Sequence, residues 1–152
     1  MDNKIIIPLD LEYSAAIHMA KNFDANLCRL KIGSQLFTSS GPQIIKELNS
    51  LGFDVFLDLK FHDIPNIVYE AVKSAADLGI WMVNVHALGG RAMLEASKKA
   101  LEGFDQPPLL IAVTVLTSLS EDSLNEVGIK DLSGQVLRLA ELTKECDLNG
   151  VV

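Results

Sequence analysis

Basic residues are scarce in this sequence. Thirteen lysines and arginines face 20 aspartates and glutamates, giving a formal net charge of −7 and a pI near 4.8. Binding a phosphate backbone needs a basic face to displace counterions, so nucleic acid is not an expected partner. Long apolar runs are lacking too. The opening "MDNKIIIPLD" is too short an apolar stretch for a signal peptide and is broken by Pro8 and Asp10. No run elsewhere approaches a membrane span, which leaves a cytoplasmic protein with no membrane partner as the expectation. Cysteine is nearly absent. Cys28 and Cys146 have no CxxC spacing and sit in apolar contexts, so they read as reduced, packed thiols rather than a disulfide or metal pair. Low-complexity segments and linkers are missing as well. What is present, 152 residues with 49% hydrophobic and 22% charged, suits a single domain over 1–152 with a sizeable core.

The organisation is a repeat of strand and helix. Short apolar, β-branched runs begin near Ile5, Arg29, Asp54, Met82 and Leu109, at intervals of 24, 25, 28 and 27 residues, and another begins at Gly150. Helical patterns fill the gaps. Pro42 to Leu51 places Ile44, Ile45, Leu48 and Leu51 on one stripe before Gly52, and Pro65 to Leu78 does the same with Val68, Ala71, Val72 and Ala75 before Gly79. Met93, Leu94, Ser97, Ala100 and Leu101 mark another helix after "GGRA". Ser120 with Glu121 and Asp122 predicts the cap and acidic first turn of a short helix before Gly128, and Gly134 to Cys146 predicts a longer one.

Alternation at this interval implies parallel strands with right-handed helical crossovers, in an open doubly wound sheet or a closed (β/α)8 barrel. Polar residues discriminate. Asp10, Lys31, Asp58 with Lys60, and His86 fall at the C-terminal ends of successive strands, the rim where barrel enzymes gather their catalytic groups. An open dinucleotide-binding sheet calls for a glycine-rich turn after the first strand, and "PLDLEYS" has no glycine. The expected fold is therefore a (β/α)8 TIM barrel. Eight units of this size need about 215 residues, so these residues cover about the first five βα units and the start of strand six. A chain of this length on its own is expected to associate through unpaired strand edges.

In "DVFLDLKFHD" a strand period of two sends Phe56, Asp58 and Lys60 to one face and Val55, Leu57 and Leu59 to the other. With the aliphatic set packed on helices, the charges point into the barrel mouth, where Lys31 joins them and Asp63 follows on the loop above. Alternating acid and base keeps each member ionised, because opposite charges offset desolvation. Such an array is a fixed field that can be aimed at a reaction whose charge distribution moves. A structural salt bridge between Asp58 and Lys60 is the plainer alternative.

The stretch "DLKFHDIPN", with "LD" at strand one, "CRLKIG" at strand two, "WMVNVHA" at strand four and "IAVTVLTS" at strand five, resembles the orotidine 5'-phosphate decarboxylase family across essentially the whole chain. A wider phosphosugar decarboxylase and aldolase superfamily shares the D-x-K-x-x-D core, while H-D-I-P-N and V-T-V-L-T-S point to the orotidylate branch. The resemblance implies a homodimeric barrel that uses no metal or organic cofactor and converts orotidine 5'-monophosphate to UMP in pyrimidine synthesis.

It also implies roles. Asp10 and Lys31 would bond ribose hydroxyls, Asp58 would lie beside the departing carboxylate, and Lys60 would stabilise the carbanion at C6 and then protonate it. Asp63 and Ile64 would complete the partner subunit's site, and Thr117 would contact the pyrimidine. Ile67 departs from the threonine that family members often carry there. The family's phosphate grip comes from loops after strands seven and eight, outside Met1 to Val152, so the resemblance implies that a chain of this length on its own is inactive. A magnesium-dependent phosphosugar decarboxylase or hexulose-phosphate synthase would call for a further acid near strand two, and "CRLKIGSQLF" offers none. A non-catalytic partial barrel is the third reading.

Other polar residues carry quieter expectations: His86 hydrogen-bonded into the rim, His62 orienting the loop, His18 solvated on a helix, and Arg29 paired with an acid such as Asp54. Trp81 and Met82 read as core, Thr114 as an ordinary strand residue, and Gly89 with Gly90 as a helix-start turn able to hold an anion.

Overall fold

The computed structural model describes residues 4–152. Six parallel strands, β1 (Ile5–Pro8), β2 (Cys28–Gly33), β3 (Val55–Phe61), β4 (Met82–His86), β5 (Leu109–Val113) and β6 (Gly150–Val151), form one sheet in sequential order. The order decides the architecture. Right-handed crossovers between strands that never reverse direction across the sheet place every helix on the same face, so the sheet curls around its bare face, as in a barrel. A doubly wound sheet would reverse its order at a switch point. The six strands make a curled half-barrel of the TIM type. Among the described residues β1 pairs only with β2 and β6 only with β5, and Ile5, Ile6, Val151 and Val152 are exposed along these edges.

The helices are α1 (Tyr13–Ala20), α2 (Ser34–Ser40), α3 (Gln43–Ser50), α4 (Pro65–Ala76), α5 (Arg91–Lys99), α6 (Glu121–Glu126) and α7 (Leu132–Glu145), with a 3-10 turn at Ala87–Gly89. None of them is long and apolar enough to cross a membrane. Two differ from the sequence reading. Helix α2 was not expected, because "SQLFTSS" buries only Leu36 and so shows no apolar stripe; Gly41, at φ 62°, separates it from α3. Helix α7 begins at Leu132 rather than Gly134, because the Asp131 side chain accepts the Gly134 N–H at 2.9 Å and caps the first turn. The Ser120 cap of α6 forms as the sequence predicts, accepting the Ser123 N–H at 3.2 Å.

Alternation along each strand sorts the core into two compartments. Leu30, Ile32, Val55, Leu57, Val83, Val85, Leu110 and Ala112 pack outward against Ile44, Ile45, Leu48, Val68, Val72, Met93 and Leu94 of the helices. Each of these side chains larger than alanine contributes about 1.5–3 kcal/mol relative to exposure. The opposite face carries a smaller cluster of Phe56, Met82 and Ile111 with Trp81 against it. Arg29 closes its lower end. Its guanidinium lies 4.0 Å from the Trp81 ring centroid, and its Nε is 3.2 Å from Asp54 Oδ2, the acid suggested for it. Both cysteines are buried and free, and burial raises both thiols above their ordinary range.

Candidate active site

The inner face of the sheet changes character toward the C-terminal ends of the strands. On β2 the inward series is Arg29, Lys31 and Gly33; on β3 it is Phe56, Asp58 and Lys60; on β4 it is Met82, Asn84 and His86. On β3 and β4 apolar residues at the base thus give way to polar ones at the rim, and β2 adds Lys31 at the middle level. Register places Gly33 opposite Asp58, which brings the lysine two residues before it within reach of the acid.

Asp58 is the hub. Its Oδ2 accepts from Lys31 Nζ at 3.0 Å, and its Oδ1 accepts from Lys60 Nζ at 2.7 Å and from Asn84 Nδ2 at 2.6 Å. The acid is 9% exposed, whereas the side chains of Lys31 and Lys60 are 24% and 37% exposed. The cations therefore face the mouth with the anion beneath them. Burial pushes the Asp58 carboxyl upward, but the hydrogen bonds from Lys60, Asn84 and Lys31, with the Lys31 charge, outweigh it and hold the group below its usual range.

A carboxyl depressed in the folded state contributes stability that is present above its unfolded value and lost as pH falls through the folded one. Urea midpoints measured from pH 6 to pH 2 should accordingly drop more steeply below about pH 4 in the wild type than in Asp58→Asn. Equal slopes would show that Asp58 is not a depressed group.

Lys60 reaches Asp58 by a route that simple alternation does not describe. Its φ is 51°, the left-handed region that non-glycine residues enter at a cost of about 1–2 kcal/mol. The ladder shifts here as well: Leu57 pairs with Val83 and Phe61 with Val85, so four steps on β3 run against two on β4. The expectation of a regular strand through Lys60 is thereby corrected to a bulged one, although the two charges still share a side. The displaced Lys60 N–H donates to Asn84 Oδ1 at 2.7 Å.

Asn84 was not singled out from sequence, yet it satisfies both the strained backbone of Lys60 and the carboxylate of Asp58. The signal was there: an amide in the apolar run "WMVNVHA", on the same parity as His86. Asn84→Ala should destabilise the protein by about 1–3 kcal/mol, because it leaves a buried N–H and a carboxylate oxygen short of a partner. A change under 0.5 kcal/mol in chemical denaturation would contradict this.

Asp10 stands on the rim beside Lys31: a Cβ placed on Gly33 would lie 3.5 Å from Asp10 Oδ1 and 3.9 Å from Lys31 Nζ. Asp63 is outside the hydrogen-bonded cluster. It is exposed, and its Oδ1 accepts the Ile64 N–H at 2.6 Å. Ile64 and Ile67 are 64% and 49% exposed. Thr117 is exposed in the loop after β5, where it lines a cleft with Leu119, Ser133 and Val136. Thr114, expected as a strand residue, lies just past the end of β5, where it is buried and its Oγ1 donates to the Val152 carbonyl at 2.8 Å. His18 is exposed on α1. Gly90, at φ 80°, turns the chain into α5. Among the described residues no group of three or more acids, histidines or cysteines is arranged to hold a metal ion.

Comparison with known proteins agrees with the fold. A family model described as Orotidine 5'-phosphate decarboxylase / HUMPS family matches residues 3–152. Orotidine 5'-phosphate decarboxylase of Saccharophagus degradans is 54% identical over 153 residues, covering 99% of this chain and 64% of that protein. The Psychromonas ingrahamii protein of the same name is 55% identical over 155 residues, covering 100% of this chain and 66% of that protein. The chain thus spans just under two thirds of the length of these curated relatives. A crystal structure of orotidine 5'-phosphate decarboxylase from Lactobacillus acidophilus superposes with a TM-score of 0.90 at 39% identity, over 99% of this chain and 70% of that one. The Methanocaldococcus jannaschii orotidine 5'-monophosphate decarboxylase complexed with the inhibitor BMP shares the fold at a TM-score of 0.81, with 21% identity over 99% of this chain and 67% of that one. The match of the family model over nearly every residue, together with relatives more than half identical across the same span, places the chain in the Orotidine 5'-phosphate decarboxylase / HUMPS family.

Proposed function

We propose that the protein, as its cell makes it, decarboxylates orotidine 5'-monophosphate to UMP in the cytoplasmic synthesis of pyrimidine nucleotides, with an Asp–Lys charge array and no cofactor. The observation that carries this reading is the position of Asp58, buried beneath two ammonium groups at 3.0 and 2.7 Å at the mouth of a half-barrel. In the reaction negative charge leaves the substrate carboxylate and collects on C6 of the ring. A cation fixed at C6 is worth more in the transition state than in the ground state, which is what accelerates a reaction. Lys60 is that cation and, once carbon dioxide has gone, the proton donor.

Asp58 holds Lys60 in place and lies beside the departing carboxylate. Because hydrogen bonds keep it ionised against burial, its field is in place before substrate arrives. Asp10 and Lys31, which flank Gly33, bind the ribose hydroxyls, and Thr117 meets the pyrimidine. Asp63 and Ile64 serve the site of a second copy in a homodimer; that reading is supported by the exposure of both and by an Asp63 carboxylate bonded only locally. The exposed Ile67 extends the same apolar edge.

The HUMPS branch of the family offers the competing chemistry, and metal dependence separates the two. Carbon dioxide release from orotidine monophosphate should be unchanged by excess EDTA. Activity that appears only with magnesium, and only on a hexulose or ketogulonate phosphate, would replace this proposal.

A further inference from the structure

Two histidines meet at the mouth of the site without entering the hydrogen bonds around Asp58. His86 ends β4, and His62 follows β3. Their ring centroids lie 5.2 Å apart with 19° between the planes, so the stack ties two successive loops together. The two sides differ in firmness. His86 is half-buried and His62 exposed. The turn after His86 is packed so closely on α5 that a Cβ at Gly89 would lie 2.1 Å from Met93 Sδ. His62 belongs to a loop whose residues Asp63 and Ile64, with Pro65 at the start of α4, line a cleft together with Leu88 and Gly89.

The firm partner is held in one protonation state. His86 Nδ1 accepts the Leu88 N–H at 3.3 Å and caps the 3-10 turn. A nitrogen that accepts carries no proton, so the ring is the neutral Nε2–H tautomer. Burial first, and then the neighbouring His62 and Lys60, keep His86 below its ordinary range. The charged groups around it offer no compensation. On β3, Asp58 is already engaged by three donors, and Asp63 is bonded to Ile64. Opposite His86 on β5 stands uncharged Val113. Near the 3-10 turn, Arg91 of α5 and Glu145 of α7 pair with each other. A proton on His86 would therefore break the cap and add a cation beside His62 and Lys60.

We infer that His86, through its stack on His62, is a positioning residue for the loop that carries Asp63 and Ile64, holding it while neutral and releasing it when protonated. This rests on the reading of Asp63 and Ile64 as residues of the site.

The test uses the dimeric protein as its cell makes it. His62→Ala removes the stack at an exposed position and leaves the cap, whereas His62→Phe keeps a flat ring without charge. His62→Ala should lower kcat for orotidine monophosphate about 3–10-fold at pH 7.5 with an unchanged thermal midpoint, and His62→Phe should restore it. Between pH 7.5 and pH 5.5 the wild type should lose about threefold more activity than His62→Phe. The substrate phosphate, which ionises near pH 6, affects both alike and cancels.

In histidine-labelled protein, a ring-to-ring cross-peak between His62 and His86 should be present at pH 7.5 and vanish as His86 titrates. His86 should also titrate higher in His62→Phe. A His62→Ala protein with wild-type kcat and pH profile would overturn the inference, and so would a loss that phenylalanine fails to restore. If the wild type does not act on orotidine monophosphate, the proposed function falls, and the cross-peak alone decides this inference: its absence at pH 7.5, or its persistence through the titration, overturns it.

Discussion

Lys60→Ala is expected to reduce decarboxylation of orotidine 5'-monophosphate by about 10⁴-fold or more while leaving the affinity for UMP within about tenfold. Two losses combine. Removing a preorganised charge aimed at a developing anion typically costs about 10²–10³-fold, and removing a positioned proton donor about 10²–10⁴-fold. Both act on the transition state, so kcat should fall with little change in ground-state binding. The same substitution leaves Asp58 with Lys31 and Asn84 as its remaining donors, which keeps the carboxylate paired and the fold intact. Lys60→Gly separates strain from chemistry. Glycine relieves the left-handed backbone at φ 51°, so Lys60→Gly should be as inactive as Lys60→Ala and yet more stable by about 1 kcal/mol. An alanine variant that keeps a tenth of wild-type turnover would remove Lys60 from its assigned role.

Activity should reappear when two dead proteins are mixed. If Asp63 acts in the partner's site, Asp63→Ala and Lys60→Ala homodimers each lack a complete site. A heterodimer then places both defects in one site and leaves the other built wholly from wild-type groups. Random reassortment makes half of the dimers mixed, each with one sound site, so about a quarter of wild-type activity should return. The structure gives a physical reason to expect this: Asp63 is turned to its own Ile64 N–H and is not joined to Lys31, Asp58 and Lys60. No recovery, with subunit exchange demonstrated by mass spectrometry of tagged chains, would mean that Asp63 serves the chain it belongs to.

Much of this arrangement is legible in the sequence, for reasons of periodicity. The first five strands show as apolar runs at a regular interval, α3 and α4 show as stripes followed by glycine, and α5 shows as a stripe, because burying one helical face demands that pattern. The parity of Lys31 and Asp58 could be read because strand side chains alternate. What escaped notice lacks a periodic signature. Helix α2 has one buried residue and so no stripe to read. The Asp131 cap looks like any loop acid until the Gly134 N–H is seen above it.

The departure at Lys60 is instructive in another way. Nothing in "DLKFHD" announces a left-handed lysine, because the residue is held there by Asn84 on a different strand. A contact between residues 24 apart in the chain leaves no local trace, and strain of this kind is retained only where the surrounding structure over-determines it.

The most direct test of the account follows the carboxyl carbon. Orotidine 5'-monophosphate labelled with ¹³C in its carboxylate should, with the wild-type protein purified as its cell makes it and EDTA present, release all its label as carbon dioxide and bicarbonate. One UMP bearing a new proton at C6 should form for each label lost, and Lys60→Ala should release none on the same timescale. Labelled substrate that stays intact with folded wild-type protein, or that is consumed as fast by Lys60→Ala, would contradict the claim that the Asp58–Lys60 array carries out the decarboxylation.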